Sequence, residues 1–165
     1  MVNKHEDHVL VLPEDDANRQ LANGFHLQIG WSQQRQMQVL RVAGGWNKVL
    51  TLFRSVHVKE MNRWPKRFMV LLIDFDDTQE RLRDAEAAIP GNLAQRVFVL
   101  GALTEPEVLR ADLGTYETIG KGMADDCREE TDTTWGHHQL RHNASELDRL
   151  RRCVRPILFP PVLSE

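Results

Sequence analysis

Phe68-Met69-Val70-Leu71-Leu72-Ile73-Asp74-Phe75-Asp76-Asp77 is the stretch on which the fold turns. Six apolar residues in a row, several of them branched, leave no polar position for a wet sheet face. Such a run reads as a strand buried on both sides, at the centre of a parallel sheet. A basic turn, Lys66–Arg67, precedes it, and acids end it abruptly. Open parallel sheets bind ligands beyond the carboxyl ends of their strands. The acids therefore mark the rim where a site belongs.

The neighbouring segments repeat the pattern. His8 to Leu12 is a second buried strand, ended by Pro13 and followed by Glu14, Asp15 and Asp16. Ala17 to Leu27 has helical spacing, with Asp15 or Asp16 placed to complement its N-terminus. Gln36 to Val42 reads as a strand, Gly44–Gly45 as a turn and Trp46 to Met61 as a helix. After the central strand come a helix over Thr78 to Ala88, a stop at Pro90–Gly91 and a strand over Arg96 to Leu100. Glu105–Leu113, Tyr116–Glu130 and Gln139–Arg152 have helical periodicity, and Pro156–Phe159 reads as an edge strand. Glu129 to Trp135 looks the least ordered and connects the core to a C-terminal helical hairpin. Strands alternating with helices predict an α/β fold, a parallel sheet of about four strands covered on both faces. The expectation is one domain over residues 1–165, with an α/β core at 1–113 and a helical C-terminal extension at 114–165.

Composition narrows the functional classes. At 165 residues, 41% hydrophobic and 27% charged, the chain can bury an ordinary core. No window approaches eighteen apolar residues, and Met1 to His8 has no secretory apolar core, so no membrane span or signal is expected. Two cysteines, Cys127 and Cys153, without metal spacing, fit reduced thiols and a cytoplasmic location. A net charge of −3 disfavours a dedicated nucleic-acid binder. Local basic runs (Lys59, Arg63, Lys66, Arg67, then Arg149, Arg151, Arg152, Arg155) leave a nucleic-acid or protein partner open.

If the first and third strands are neighbours, their terminal acids converge. Like charges about 4 Å apart cost roughly 4 kcal/mol at an effective dielectric of 20. A divalent cation relieves that repulsion, and magnesium takes oxygen donors of this kind. The spacing Asp74-x-Asp76 keeps both carboxylates on one side of an extended chain and turns Phe75 to the core.

The blocks VLVLPEDDANRQLANGF, VAGGWNKVLTLF and MVLLIDFDD resemble the TOPRIM domain of topoisomerases, primases and OLD-type nucleases, over about residues 8 to 112. That resemblance implies a TOPRIM-like, Rossmann-like fold in a stand-alone, bacterial-type member. It puts Glu14 at the family glutamate, and Asp74 and Asp76 at the family Asp-x-Asp. Gly44–Gly45 matches a turn common in OLD-type members, and Glu107 resembles a later acid of some nucleases. The implied activity is a magnesium-dependent nuclease or related phosphotransfer on nucleic acid, with Mg²⁺ or Mn²⁺ as cofactor. Glu14, Asp74 and Asp76 would be catalytic and, with Asp16 and Glu107, metal-binding. Lys48 or Lys121 would supply positive charge to the substrate. The family's usual glycine after the glutamate is Asp15 here, which points to the alternative of a catalytically inactive binding module.

Two further readings remain open. Asp74-x-Asp76-x-Thr78 also resembles the signature of haloacid-dehalogenase-like phosphatases, with Asp74 as nucleophile, Asp76 as acid/base, and Lys121 and Asp125–Asp126 as later motifs. His137, His138 and His142 have spacing that a metal accepts, but no carboxylate or cysteine completes the set nearby in sequence. Surface or packing roles are the simpler reading for them. The four tryptophans are expected in the core or an interface.

Overall fold

The computed structural model describes residues 1–162. Four parallel strands, β1 (His8–Pro13), β2 (Met37–Val39), β3 (Arg67–Leu72) and β4 (Val97–Leu100), form one sheet in the order β2-β1-β3-β4. β1 and β3 are neighbours, with Leu12 opposite Leu71 and Pro13 opposite Leu72. Among the described residues no helix is long and apolar enough to cross a membrane.

Both faces of the sheet are dry, and the strands alternate between two cores. Val9, Val11, Val70, Leu72, Phe98 and Leu100 join one cluster; Leu10, Leu12, Met69, Leu71, Val97 and Val99 join the other. That alternation explains why the central strand needs no polar residue. α1 (Asp16–Leu27), α5 (Pro106–Leu113), α6 (Tyr116–Glu129) and α7 (Ala144–Leu158) cover the first face. α2 (Trp46–Leu52), a π-helical turn (Phe53–His57), α3 (Val58–Arg63) and α4 (Glu80–Ala88) cover the second. The helix expected over 46–61 is thus real but carries an inserted π turn.

Residues from 114 onward are not a layer apart. Met123, Leu147, Leu150, Val154, Ile157 and Leu158 share one cluster with Val9 and Val70, so α6 and α7 complete the main core. α6 lies along α1 at glycine distance: a Cβ on Gly120 would fall 2.0 Å from the Leu21 carbonyl oxygen, and one on Gly24 2.1 Å from that of Glu117.

The expected strand at Pro156–Phe159 is instead the last turn of α7. Proline removes one helical N–H, a cost felt most in a helix interior. Here it sits near the C-terminus, and burial of Val154, Ile157 and Leu158 holds the turn. The β4 edge is capped by side chains rather than by a fifth strand. The Val99 N–H donates to Glu146 Oε2 (3.2 Å), Asn143 bridges the N–H and C=O of Gly101 (3.2 and 3.0 Å), and Arg149 donates to the Val97 carbonyl (2.8 Å). An exposed edge is a template for unwanted pairing, and these contacts occupy it.

Two other boundaries move. β2 is three residues, not seven: Trp31–Gln36 forms a 3₁₀ turn, and the chain after Val39 follows β1 through the Leu40 and Ala43 amides without a regular ladder. Helix α7 begins at Ala144 rather than Gln139. The segment 129–135 is pinned, since the Asp126 carboxylate accepts from the Thr131 hydroxyl and from the N–H groups of Thr133, Thr134 and Trp135. Of the tryptophans, Trp135 is buried and Trp31 is 92% exposed.

Candidate functional site

Neighbouring β1 and β3 bring two of the expected acids together at the rim. Glu14 follows β1 directly, and its N–H continues the ladder to the Leu72 carbonyl (2.9 Å). Its own carbonyl accepts from Gly44 and Gly45 (2.8 and 3.2 Å). Those glycines have φ of 94° and 147°, which a side chain would resist. The Glu14 carboxylate is thereby aimed across the sheet, where Oε2 accepts the Asp74 N–H at 2.7 Å. The backbone of Trp46, at the head of α2, also favours the carboxylate's charged form.

Asp74 is the most perturbed acid of the rim. Burial, then the charges of Glu14, Asp15 and Glu107, push its carboxyl up to about 7, against the pull of one hydrogen bond from Asn18. Burial also raises Glu14, partly offset by its backbone donors. Glu14 and Asp74 are only 9% and 8% exposed.

Asn18 ties the acids together. Asp15 caps α1, its Oδ1 accepting the Asn18 N–H at 3.0 Å. The Asn18 Nδ2 donates to Asp15 Oδ1 and to Asp74 Oδ1, both at 3.0 Å. Its Oδ1 is buried with no hydrogen-bond partner. Arg81, on α4, closes the other side. It donates to the Asp74 carbonyl (2.8 Å), approaches Asp76 Oδ2 (3.5 Å) and lies 5.2 Å from the centre of the Trp46 ring.

The other expected residues fare unevenly. Glu107 is close enough for its charge to act on Asp74. Asp76 does not face the site as expected. Its φ of 52° and that of Asp77 at 51° break the extended backbone that an i, i+2 alternation requires, and its carboxylate is 74% exposed against Arg81. Phe75 does turn into the core. Asp16 points outward, bonded to Arg19 and Gln20 on its own helix. The exposed Lys48 reaches over the Gly44 turn, its Nζ 3.6 Å from where a Gly44 Cβ would stand. Lys121 lies on α6 and pairs with Glu117 at 3.4 Å.

Asn18, Asp15 as a site acid, and Arg81 were not singled out from sequence. An asparagine three residues after an N-cap aspartate was the available signal for the first two. Nothing local marks Arg81, whose role depends on how α4 folds back. Glu14 and Asp74 meet at the rim, Asp15 is linked to Asp74 through the Asn18 amide, and Glu107 acts on Asp74 by its charge; among the described residues no three of these acids bring ligand atoms within 4.8 Å of one another. Hard donors in excess of local positive charge are the set magnesium or manganese takes. No protein-family model matches the chain, and no curated protein or solved structure matches it either.

Proposed function

We propose that the rim around Asp74 binds Mg²⁺ or Mn²⁺ and serves hydrolysis or transfer at a phosphodiester of nucleic acid, as the resemblance to TOPRIM nucleases implies. The observation that carries this reading is Asp74 itself. A carboxyl raised to about 7 by burial and by three neighbouring acids is an unfavourable arrangement that a divalent cation would reverse. Perturbed carboxyls of this kind gather at functional sites.

Asp74 and Glu14 would hold the ion, with the charges of Asp15 and Glu107 close by. Such an ion, when bound, polarises a phosphoryl oxygen and lowers the pKa of water. The chain's own residues orient and neutralise. Arg81, fixed by the Asp74 carbonyl and the Trp46 ring, keeps a guanidinium at the rim, and Lys48 offers a second, mobile cation for substrate phosphate. Glu14, held by the Asp74 N–H, is the fixed ligand of the pair.

The reading as an inactive binding module draws support from Asp76, whose carboxylate is engaged by Arg81. The phosphatase reading has less. Thr78 Oγ1 is occupied by the Glu80 N–H, Asp126 by the 131–135 turn, and Lys121 by Glu117. The test is cleavage of labelled single- and double-stranded DNA and RNA with Mg²⁺ or Mn²⁺. Cleavage by wild type that falls at least about a hundredfold in Asp74→Asn supports catalysis. Cation binding with no cleavage of any substrate leaves the binding module.

A further inference from the structure

We propose that Asp112, His137 and His138 form a second cation site, specific for a zinc-class ion and separate from the acidic rim. One potential ligand atom from each of the three lies within 4.8 Å of the other two. The fold supplies the carboxylate that the histidine pair lacks in sequence. Asp112 comes from the end of α5, and its Oδ2 lies 2.7 Å from His137 Nε2. The His138 ring lies against that of His137, with centroids 4.2 Å apart.

The frame behind these ligands is fixed from both sides. On one side Asp126 holds the amides of residues 133 to 135. On the other, Gln139 accepts the Leu103 N–H at its carbonyl (2.9 Å) and the Thr104 N–H at Oε1 (2.9 Å). The imidazoles and the α5 carboxylate are thus presented by backbone that is already ordered, which lowers the cost of gathering ligands.

The chemistry selects the ion. Two imidazoles and one carboxylate are a zinc-type donor set, whereas magnesium prefers oxygen alone. Three protein ligands leave the fourth tetrahedral position to water. The site is open to solvent through Asp112 and His138. A role for His137 as a free base is less consistent with its bonding. The Gln139 N–H donates to its Nδ1 at 3.1 Å, so its Nε2 carries the proton shared with Asp112. Loading through Nε2 moves that proton to Nδ1 and releases the Gln139 contact. The ion replaces two hydrogen bonds, His137–Asp112 and Gln139–His137, with coordination to all three side chains.

Calorimetric titration of Zn²⁺ into wild type, Asp112→Asn, His138→Ala and Asp74→Asn tests this. One zinc per chain is expected, bound at least about tenfold more weakly by the Asp112 and His138 variants and unchanged in Asp74→Asn. Co²⁺ should give tetrahedral visible bands in wild type that vanish in His138→Ala. Both variants alter exposed side chains, and thermal melts without metal confirm that they fold. Equal zinc affinity in wild type and both variants, no binding at all, or loss in Asp74→Asn alone overturns the proposal.

Discussion

Replacing Asp74 with asparagine should stabilise the metal-free protein at pH 8, although it removes a buried charged residue from a hydrogen-bonded cluster. The folded-state carboxyl is raised from 3.8 to about 7. Below about pH 4 it is protonated in both folded and unfolded chains and costs nothing. Between about pH 4 and pH 7 the unfolded chain releases the proton that the folded chain retains, so stability falls as pH rises. Above about pH 7 the full penalty is present. A shift of roughly three units corresponds to about 4 kcal/mol at 1.36 kcal/mol per unit. Because the charge is shared with Glu14, Asp15 and Glu107, about half, or about 2 kcal/mol, is the reasonable expectation for one substitution. The asparagine Oδ1 still accepts from Asn18, so that contact survives. For a chain of this size about 2 kcal/mol is roughly 4–8 °C in Tm. Thermal melts with chelator at pH 4.5 and pH 8 should show a gap that opens with pH, in favour of Asp74→Asn. A variant less stable than wild type at pH 8, or a gap independent of pH, refutes the assignment of strain to Asp74.

Gly120→Ala would place a methyl group 2.0 Å from the Leu21 carbonyl, forcing α1 and α6 apart; urea unfolding should show a loss of about 1–3 kcal/mol. Asn143→Ala leaves the Gly101 N–H and C=O at the β4 edge without their side-chain partner, at about 2 kcal/mol, and size-exclusion chromatography should show increased self-association. Burial lifts the Cys127 thiol to about 11, so thiol reagents at pH 8 should label it only after unfolding, as peptide mass spectrometry would show.

The parts of the fold that were legible in sequence are those set by local pattern. Phe68–Ile73 reads as a central strand because both of its faces are buried, and His8–Leu12 follows the same logic. The adjacency of β1 and β3, and with it the meeting of Glu14 and Asp74, follows from strand order. What escaped depends on backbone detail or distant partners. The left-handed residues Asp76 and Asp77 undo an alternation that assumes extended chain. Pro156–Phe159 reads as an edge strand from its apolar run, yet tertiary burial of Val154, Ile157 and Leu158 carries the helix on to Leu158. Arg81 and Asp112 come from helices that fold back on the rim and on the 137–138 turn, and no local spacing announces them.

In the proposed cation site Asp74 and Glu14 hold the ion and Asp76 does not. Calorimetric titration of Mg²⁺ at pH 8 into wild type, Asp74→Asn and Asp76→Asn tests it most directly. One magnesium per chain is expected in wild type, with binding at least about tenfold weaker in Asp74→Asn and affinity within about threefold of wild type in Asp76→Asn. No magnesium binding by wild type, or equal losses in the two variants, would contradict it.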